Sequence, residues 1–426
     1  MTTLQQQIED FGRRARAAAR VLARATSEQK NQALKDMADE IVAAEPEILA
    51  ANAKDLEKAQ EDGLSGAMID RLTLNSKRLL GMADGIRQVA QLADPVGETI
   101  KEWTRPNGLR ISKVRVPIGV VGIIYESRPN VTSDAAVLCT KTGNATILRG
   151  GRESIHSNIA IAAALGRGAD KAGLPSDSVL LVPTTDREAV RALCSMDKYL
   201  DVIVPRGGKG LIETVVSHAR MPVIKHYDGI CIIYVDAQAD LKMAEDIVLN
   251  AKVQRPGVCN AVETVLVHSA VAEKFFETTG KALWEKGVQL RCDERGLAIA
   301  SKLQPAASRL VAATSEDYRT EFLDLILAVK VVDSLEDAVE HIEEHGSHHS
   351  DGIVTANEEA AEQFLREVDS ATVYWNASTR FTDGGEFGFG AEIGISTDKL
   401  HARGPMALEE LTTYKYLLRG TGQVRV

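Results

Sequence analysis

Cys259 is the residue whose type and surroundings best suit covalent chemistry. It follows Pro256-Gly257 and has polar neighbours on both sides, whereas Cys139 and Cys231 lie in apolar runs typical of small core residues. The chain has five cysteines, an odd number without close spacing, which predicts reduced thiols rather than a disulfide framework or a zinc knuckle. Spacing alone leaves open whether Cys259 is a nucleophile, because thiolate activation depends on neighbours in space.

Two histidines offer a different chemistry. His341 and His345 have the H-x-x-E-H spacing of one class of zinc hydrolases, which places two imidazoles one turn apart on a helix. The apolar stripe predicts a helix from a cap at Asp333 or Ser334 to Gly346, so both histidines fall in its last turn. The helix dipole favours them there without any metal. We therefore predict no metal site, and the zinc hydrolase remains an alternative.

A glycine-rich turn could hold an anion. The segment Arg206-Gly207-Gly208-Lys209-Gly210 follows the apolar run 202–204 and opens a helical stretch, so its bare amides could meet a phosphate at a helix N-terminus. The segment is neither GxGxxG nor a P-loop, because its lysine is followed by glycine rather than Ser or Thr. An ordinary strand-to-helix turn fits the same residues equally well.

The elements that must position these residues follow from the hydrophobic period. Amphipathic helices are predicted over residues 4–92, and alternation about Pro106-Asn107-Gly108 predicts two strands joined by a tight turn. Apolar runs separated by helical stretches then predict two α/β lobes, at least the first with a parallel sheet covered on both faces. The predicted strands of the first lobe are 118–125, 145–148, 179–182, 202–204 and 230–235, and those of the second lobe are 262–267, 325–332, 352–355 and 372–376.

Composition excludes several classes of protein. A chain of 426 residues exceeds the usual size of one hydrophobic core, which predicts two or three lobes. The net charge of -10 and the lack of clustered basic and aromatic residues argue against a nucleic-acid partner. The longest apolar run, 116–125, is broken by Pro117 and two glycines, and the N-terminus lacks a signal pattern, so we expect a cytoplasmic protein without a membrane span.

Four stretches of the sequence, in this order, resemble the aldehyde dehydrogenase superfamily, and the resemblance extends over nearly the whole chain. They are PIGVVGIIYESRPNVTSDAA (117–136), PRGGKGLI (205–212), VQRPGVCNAVET (253–264), and NASTRF with FGFGAEIGISTDKLHARGP (376–405). The resemblance implies an α/β fold with a Rossmann-type cofactor lobe, a second α/β catalytic lobe and a β-hairpin oligomerisation element. The implied domains are 1–96 and 116–240 for cofactor binding, 241–400 for catalysis, and 97–115 and 401–426 for oligomerisation.

The resemblance also implies site residues. Cys259 falls on the catalytic cysteine, and Asn130 falls on an asparagine that, with the backbone amide of the cysteine, binds the developing oxyanion. Such a donor typically lowers a barrier by about 3 to 4 kcal/mol. The cofactor is implied to be NADP (NADPH), with a fork of guanidinium groups at its 2'-phosphate and a carboxylate at the nicotinamide ribose. The implied cofactor-binding residues are Arg149, Arg152, Arg206, Gly207, Gly208 and Glu321.

The resemblance also implies the reaction, and one departure from the superfamily pattern fits it. His226 stands where oxidative members of the superfamily carry the glutamate that activates water, so hydrolysis of an acyl-enzyme is not expected. The resemblance then implies NADPH-dependent reduction of L-glutamyl 5-phosphate to L-glutamate 5-semialdehyde, through a cysteine thioester, in proline biosynthesis. Asn376, Ser378 and Arg380 are implied substrate contacts.

The implied partners are few. We expect a homo-oligomer, because an exposed aromatic strand around Tyr414 would otherwise invite aggregation. Glutamate 5-kinase, which would make the unstable acyl phosphate, is a candidate partner. A catalytically silent scaffold of the same fold is the remaining alternative.

Overall fold

The structure, a computed structural model, describes residues 3–126 and 128–425. The chain forms two compact units. The first unit comprises Met1–Lys225, Gly388–Gly394 and Met406–Val426, and the second comprises His226–Phe387 and Ile395–Pro405. None of the helices in the described part of the chain combines the length and the apolar character needed to cross a membrane.

The helices and strands have the following bounds. The helices are α1 (Leu4–Leu22), α2 (Ser27–Ala43), α3 (Glu45–Glu61), α4 (Gly66–Leu72), α5 (Ser76–Gln91), α6 (Asn130–Lys141), α7 (Ile155–Lys171), α8 (Glu188–Cys194), α9 (Lys209–His218), α10 (Leu241–Val253), α11 (Ala272–Phe275), α12 (Lys281–Glu285), α13 (Glu294–Ser301), α14 (Leu335–His345) and α15 (Glu358–Glu367). The strands are β1 (Thr99–Thr104), β2 (Arg110–Pro117), β3 (Val120–Tyr125), β4 (Ala145–Arg149), β5 (Val179–Leu181), β6 (Val202–Arg206), β7 (Cys231–Val235), β8 (Val262–His268), β9 (Gln289–Cys292), β10 (Leu310–Ala312), β11 (Ile326–Val332), β12 (Ser350–Val354), β13 (Thr372–Trp375), β14 (Gly394–Ser396), β15 (Gly404–Met406) and β16 (Thr412–Arg419).

The first unit contains a four-stranded sheet of order β5-β4-β3-β6, in which all neighbours are parallel. Strands β3, β4 and β5 are buried throughout, which explains their continuous apolar runs. The predicted parallel sheet is therefore confirmed. The carboxyl ends of parallel strands meet at one edge of a sheet, so Arg149 and Arg206, the last residues of β4 and β6, share that edge.

The second unit is built on a seven-stranded sheet of order β10-β9-β11-β8-β7-β12-β13, with parallel neighbours. The prediction that the strand near residues 230–235 belongs to the first lobe is wrong, because β7 lies between β8 and β12 in this sheet. The first unit ends at Lys225, before this strand. An apolar run has the same appearance in either sheet, so the sequence could not show which one it joins.

A separate antiparallel sheet of order β1-β2-β16 belongs to the first unit. The predicted hairpin is confirmed, and its turn is closed by a 2.8 Å hydrogen bond from the Arg105 amide to the Leu109 carbonyl. Strand β16 carries exposed Tyr414, Tyr416 and Leu418 and pairs along one edge only within the described chain. The remaining strands, β14 and β15, pair with each other.

Candidate active site

Cys259 is the most accessible of the five thiols. It lies in the turn between α10 and β8 and is partly exposed, whereas the other four cysteines are buried. Burial raises the pKa of Cys139 and of Cys292 to about 12, and that of Cys194 to about 11. Because the thiolate is the nucleophilic form, these buried thiols are poorly suited to attack a substrate.

The backbone around Gly229 supports the Cys259 turn. A Cβ atom at Gly229 would lie 2.6 Å from the Cys259 Cα and 2.7 Å from its carbonyl carbon, so only glycine allows the two segments to approach so closely. The Cys231 thiol donates to the Cys259 carbonyl at 3.2 Å. Gly229 was not predicted as a site residue, and its only signal in the sequence is the Asp228-Gly229 pair, which is typical of a turn.

Asn260 joins the Cys259 turn to the segment 379–382. Its amide nitrogen donates to the Thr382 carbonyl at 2.8 Å, and the Thr379 hydroxyl donates to the Asn260 carbonyl at 2.7 Å. The Arg380 guanidinium donates to the Asn260 side-chain oxygen. The side chain of Asn260 is 5% exposed, so these bonds form away from water and hold the turn firmly.

The three predicted substrate residues have different surroundings. Arg380 donates through Nε to the Gln254 side chain at 2.8 Å, and burial lowers the pKa of its guanidinium, with neighbouring Arg255 acting in the same direction. The Ser378 hydroxyl accepts the Arg380 amide at 3.3 Å. Arg380 is therefore placed beside the Cys259 turn.

Asn376 has a structural engagement of its own. Its side chain accepts the Thr355 amide at 3.0 Å and donates to the Thr355 carbonyl at 2.9 Å. Its backbone has a φ of 55°, a conformation that asparagine tolerates better than most residues. These two bonds tie the end of β13 to the end of β12.

Two histidines flank the cysteine. One ring nitrogen of His226, one ring nitrogen of His349 and the Cys259 sulfur all lie within 4.8 Å of one another. The two imidazoles meet edge to face with centroids 5.4 Å apart. His349 was missed because it stands in the stretch His-Gly-Ser-His-His-Ser (345–350), which matches no motif around the second histidine pair.

The two rings are held by their Nδ1 atoms. Nδ1 of His226 lies 2.9 Å from the Ile395 carbonyl, which can only accept, so this nitrogen carries the proton of the neutral ring and Nε2 keeps its lone pair. Nδ1 of His349 lies 2.9 Å from the Ser350 hydroxyl. His349 is fully buried, its Nε2 has no hydrogen-bond partner among the described residues, and burial holds its pKa well below the usual range.

Glu321 lies beside the same turn. Its carboxylate is partly buried, which raises its pKa, and it accepts the backbone amide of Gly229. The neighbouring Leu323 has a φ of 55° and donates its amide to Glu263 at 3.3 Å. Glu263 in turn pairs with Lys252 at 2.5 Å, with both side chains fully buried. The segment that carries Glu321 is thus anchored, through the Leu323 amide, to the buried Lys252–Glu263 ion pair.

The predicted arginine fork lies in the first unit. Arg149 is 8% exposed and donates from Nη2 to the Thr185 carbonyl at 3.2 Å, and burial lowers its pKa. Its Nε is buried without a hydrogen-bond partner in the described structure. Arg152 is largely exposed, 3.4 Å from the Glu153 carboxylate. One arginine is therefore anchored and the other is open to a ligand.

The glycine-rich turn is already in contact with an acidic group. The Gly208 amide donates to the Glu126 carboxylate at 2.9 Å, and a Cβ at Gly207 would lie 2.6 Å from the carboxyl carbon of Glu126. Arg206 packs against Gly394, where a Cβ would lie 2.9 Å from the guanidinium carbon. The N-terminus of α9 thus binds a carboxylate of the chain itself, Glu126, which was not foreseen, and binding of a ligand phosphate there stays a prediction.

Asn130 is the first residue of α6. Its side-chain amide donates to Asp134 at 2.8 Å, and its carbonyl accepts the Ser133 hydroxyl at 2.8 Å. Its side chain is exposed, which leaves it accessible at the start of the helix.

The His341–His345 pair lies on α14, with the bounds and Ser334 cap predicted from the sequence. His341 is buried, which lowers its pKa to about 3, and its Nδ1 is 3.2 Å from the Lys330 amine. Within the described residues, the group of three potential metal ligands lies around Cys259 and not here. A zinc hydrolase needs a third ligand, and among the residues that the structure describes none groups with this pair.

Known proteins with similar sequences and structures share this arrangement of elements. The profile described as "Aldehyde dehydrogenase family" matches residues 2–294. The gamma-glutamyl phosphate reductase of Moorella thermoacetica is 57% identical over 419 residues, which cover 98% of this chain and 99% of that protein. The crystal structure of gamma-glutamyl phosphate reductase from Thermotoga maritima is 46% identical with a TM-score of 0.95, covering 98% of this chain and 100% of that one.

Proposed function

Because the chain belongs to the aldehyde dehydrogenase family, and within it groups with the gamma-glutamyl phosphate reductases, we propose that it reduces L-glutamyl 5-phosphate. The products are L-glutamate 5-semialdehyde and inorganic phosphate, which makes the reaction a step of proline biosynthesis. The observation that carries the proposal is the near-complete match to these reductases together with one accessible thiol, Cys259.

The chemistry begins at the cysteine. Nε2 of His226 is suited to accept the thiol proton, since Nδ1 faces a carbonyl. The Cys259 thiolate attacks the acyl carbon, a sulfur–carbon bond forms, and the bond to the phosphate oxygen breaks. A thioester remains on Cys259, and phosphate departs with both bridging electrons.

Reduction then frees the product. When bound, the nicotinamide coenzyme supplies a hydride to the thioester carbon. Asn130 and the backbone amide of Cys259 are proposed to bind the oxygen as negative charge develops on it. Collapse of the tetrahedral adduct breaks the carbon–sulfur bond, releases the aldehyde and returns the thiolate to Cys259.

Hydrolysis of the proposed thioester is disfavoured by the residue at one position. His226 replaces the glutamate that activates water in oxidative relatives, and its Nδ1 is engaged with Ile395. The proposed role of this ring is to move the thiol proton, and the glutamate that deprotonates water in oxidative relatives is replaced at this position. The proposed intermediate is therefore retained for hydride rather than hydrolysed.

The coenzyme is proposed to be NADPH. The family uses a nicotinamide coenzyme, and the residues present fit one with an added phosphate, because Arg152 is exposed and the buried Nε of Arg149 has no hydrogen-bond partner among the described residues. In the first unit Arg206, Gly207 and Gly208 complete the proposed cofactor-binding set. Glu321 is the proposed ribose ligand in the second unit.

The coenzyme proposal is tested by the variant Arg152→Ala. The expected result is a KM for NADPH raised about tenfold, as for loss of one charge-assisted contact, with little change for NADH. Arg191→Ala, an exposed arginine paired with Glu188, is the matched control. An unchanged NADPH/NADH preference in both Arg149→Ala and Arg152→Ala would overturn the proposal.

Arg380 is proposed to bind a substrate carboxylate or phosphate, with Ser378 and Asn376 shaping its loop. The variant Arg380→Lys keeps the charge but loses the planar fork, so the KM for glutamyl phosphate should rise. Lys399→Arg, at an exposed residue paired with Asp369, serves as a control. An unchanged KM in Arg380→Lys would remove Arg380 from the proposed set.

The reaction itself is tested in reverse. The protein is mixed with glutamate semialdehyde and NADP+, with and without phosphate, and NADPH absorbance is followed. A phosphate-dependent rate is expected, and it should be lost in Cys259→Ala but kept in Cys194→Ala, whose thiol is buried. A rate that does not need phosphate would indicate a hydrolytic dehydrogenase, and no rate at all would indicate a scaffold.

Assembly and location are proposed from the same features. The exposed edge of β16, with Tyr414 and Tyr416, supports a homo-oligomer, and Tyr416→Asp should lower the mass measured by light scattering.

The five free thiols suit a cytoplasmic protein. Glutamate 5-kinase is the proposed partner that delivers the acyl phosphate. We propose the cofactor-binding, catalytic and oligomerisation regions at the bounds expected from the sequence, except that the strand Cys231–Val235 belongs with the catalytic region.

A further inference from the structure

The cluster formed by His226, Cys259 and His349 has the chemistry of a metal site. One ring nitrogen from each histidine and the cysteine sulfur lie within 4.8 Å of one another. Two imidazoles and one thiolate are a ligand set typical of zinc, whereas Mg²⁺ and Ca²⁺ prefer oxygen ligands. Within the described residues, this cluster is the group that brings three such ligands together.

The rings are oriented as metal-binding histidines usually are. A ligating histidine holds its second nitrogen in a hydrogen bond to a carbonyl, a carboxylate or another polar group. Nδ1 of His226 faces the Ile395 carbonyl at 2.9 Å, and Nδ1 of His349 faces the Ser350 hydroxyl at 2.9 Å. In both rings a cation would therefore bind through Nε2.

His349 provides an independent sign of a ligand. Its side chain is fully buried, and its Nε2 has no hydrogen-bond partner in the part of the chain that the structure describes. Leaving a buried polar atom without a partner is unfavourable, by an amount comparable to a lost hydrogen bond. A cation at this nitrogen would satisfy it.

We propose that His226, Cys259 and His349 bind one Zn²⁺ or a similar borderline-soft divalent cation, and that this cation reversibly blocks the nucleophile. The metal binds the thiolate, so the thiol proton leaves to solvent, and the sulfur lone pair is then no longer available to attack an acyl group. A fourth position is left for water. The inhibition rests on the proposed function, but the binding does not.

The geometry requires a small adjustment. Bonds of 2.0 to 2.3 Å at tetrahedral angles place ligand atoms about 3.3 to 3.6 Å apart, so the widest pair must close by about 1 Å. His226 and Cys259 are both partly exposed and can rotate, whereas the buried His349 remains in place. The site therefore closes onto a fixed ligand.

Binding is tested with Co²⁺, which reports on its ligands spectroscopically. One equivalent added to the metal-free, full-length protein should give thiolate-to-cobalt charge-transfer absorption and the visible bands of a tetrahedral site. Excess Zn²⁺ should remove both signals, and excess Mg²⁺ should not. The charge-transfer band should vanish in Cys259→Ser, and Co²⁺ affinity should fall at least tenfold in His349→Ala.

A control variant comes from the other histidine pair. His345→Ala should leave the cobalt spectrum unchanged, because His345 lies on α14 outside the cluster. A charge-transfer band that survives in Cys259→Ser, or that is lost in His345→Ala, would overturn the assignment. So would the absence of any band in the unmodified protein.

A second measurement needs no variant. Alkylation of Cys259 by iodoacetamide, followed by peptide mass spectrometry, should slow at least tenfold with one equivalent of Zn²⁺ and recover with EDTA. Unchanged alkylation would overturn the proposal. Cobalt binding without reductase activity would instead contradict the proposed function alone, and an active reductase without a cobalt band would contradict the metal site alone.

Discussion

The variant Gly229→Ala tests how closely catalysis depends on the support of the Cys259 turn. The added methyl carbon would lie 2.6 Å from the Cys259 Cα and 2.7 Å from its carbonyl carbon. Carbon atoms in contact are normally about 3.5 to 4.0 Å apart, so one of the two backbones must move by about 1 Å. Neither contacted atom belongs to a flexible side chain that could move aside.

The size of the effect follows from that displacement. Overpacking a tight contact costs about 1 to 3 kcal/mol of stability. A misplacement of about 1 Å at a reacting group can lower the rate about 100-fold, which corresponds to about 2.7 kcal/mol of barrier. We therefore expect kcat to fall about 100-fold while the free energy of unfolding falls by about 1 to 3 kcal/mol.

Two assays measure these effects. Phosphate-dependent NADP+ reduction by glutamate semialdehyde gives kcat, and urea unfolding gives stability. Gly85→Ala is the matched control, since a Cβ there has no atom within 4 Å and lies in the interior of α5. The Gly85→Ala protein should gain about 0.5 to 1 kcal/mol in its free energy of unfolding, with kcat unchanged. A folded Gly229→Ala protein with kcat within about twofold of the parent would refute the packing argument.

Two further predictions concern stability. Lys252→Met leaves Glu263 buried without its partner, so the free energy of unfolding measured in urea should fall by about 3 to 5 kcal/mol. The double variant that also carries Glu263→Leu should regain most of this stability, and a loss below about 1 kcal/mol in Lys252→Met would contradict the prediction. Burial raises the pKa of Asp351 to about 7, so the folded chain keeps a proton that the unfolded chain loses above about pH 4. The free energy of unfolding should therefore fall as pH rises from about 4 to 7, by up to about 4 kcal/mol from this group. Urea titrations across that pH range should show a smaller fall in Asp351→Asn. An identical pH dependence in the variant would contradict the raised pKa of Asp351.

Much of the fold follows from local patterns in the sequence. Buried strands such as β3 and β4 are continuous apolar runs, and α14 has both its cap and its final glycine in the sequence, because these features depend on neighbours within a few residues. The same is true of the hairpin around residues 105–109. The identification of Cys259 as the leading thiol also came from nearby residues, together with the resemblance of its segment to a known family.

Tertiary structure decided the rest. The sheet to which β7 belongs, the approach of Gly229 to Cys259, and the position of His349 beside the sulfur all join residues far apart in the chain. A sequence pattern reports which side chains a segment buries, but not which distant segment covers them. Cys259 could thus be singled out from its own neighbours in the sequence, whereas the two imidazoles beside its sulfur are brought there only by the folding of distant segments.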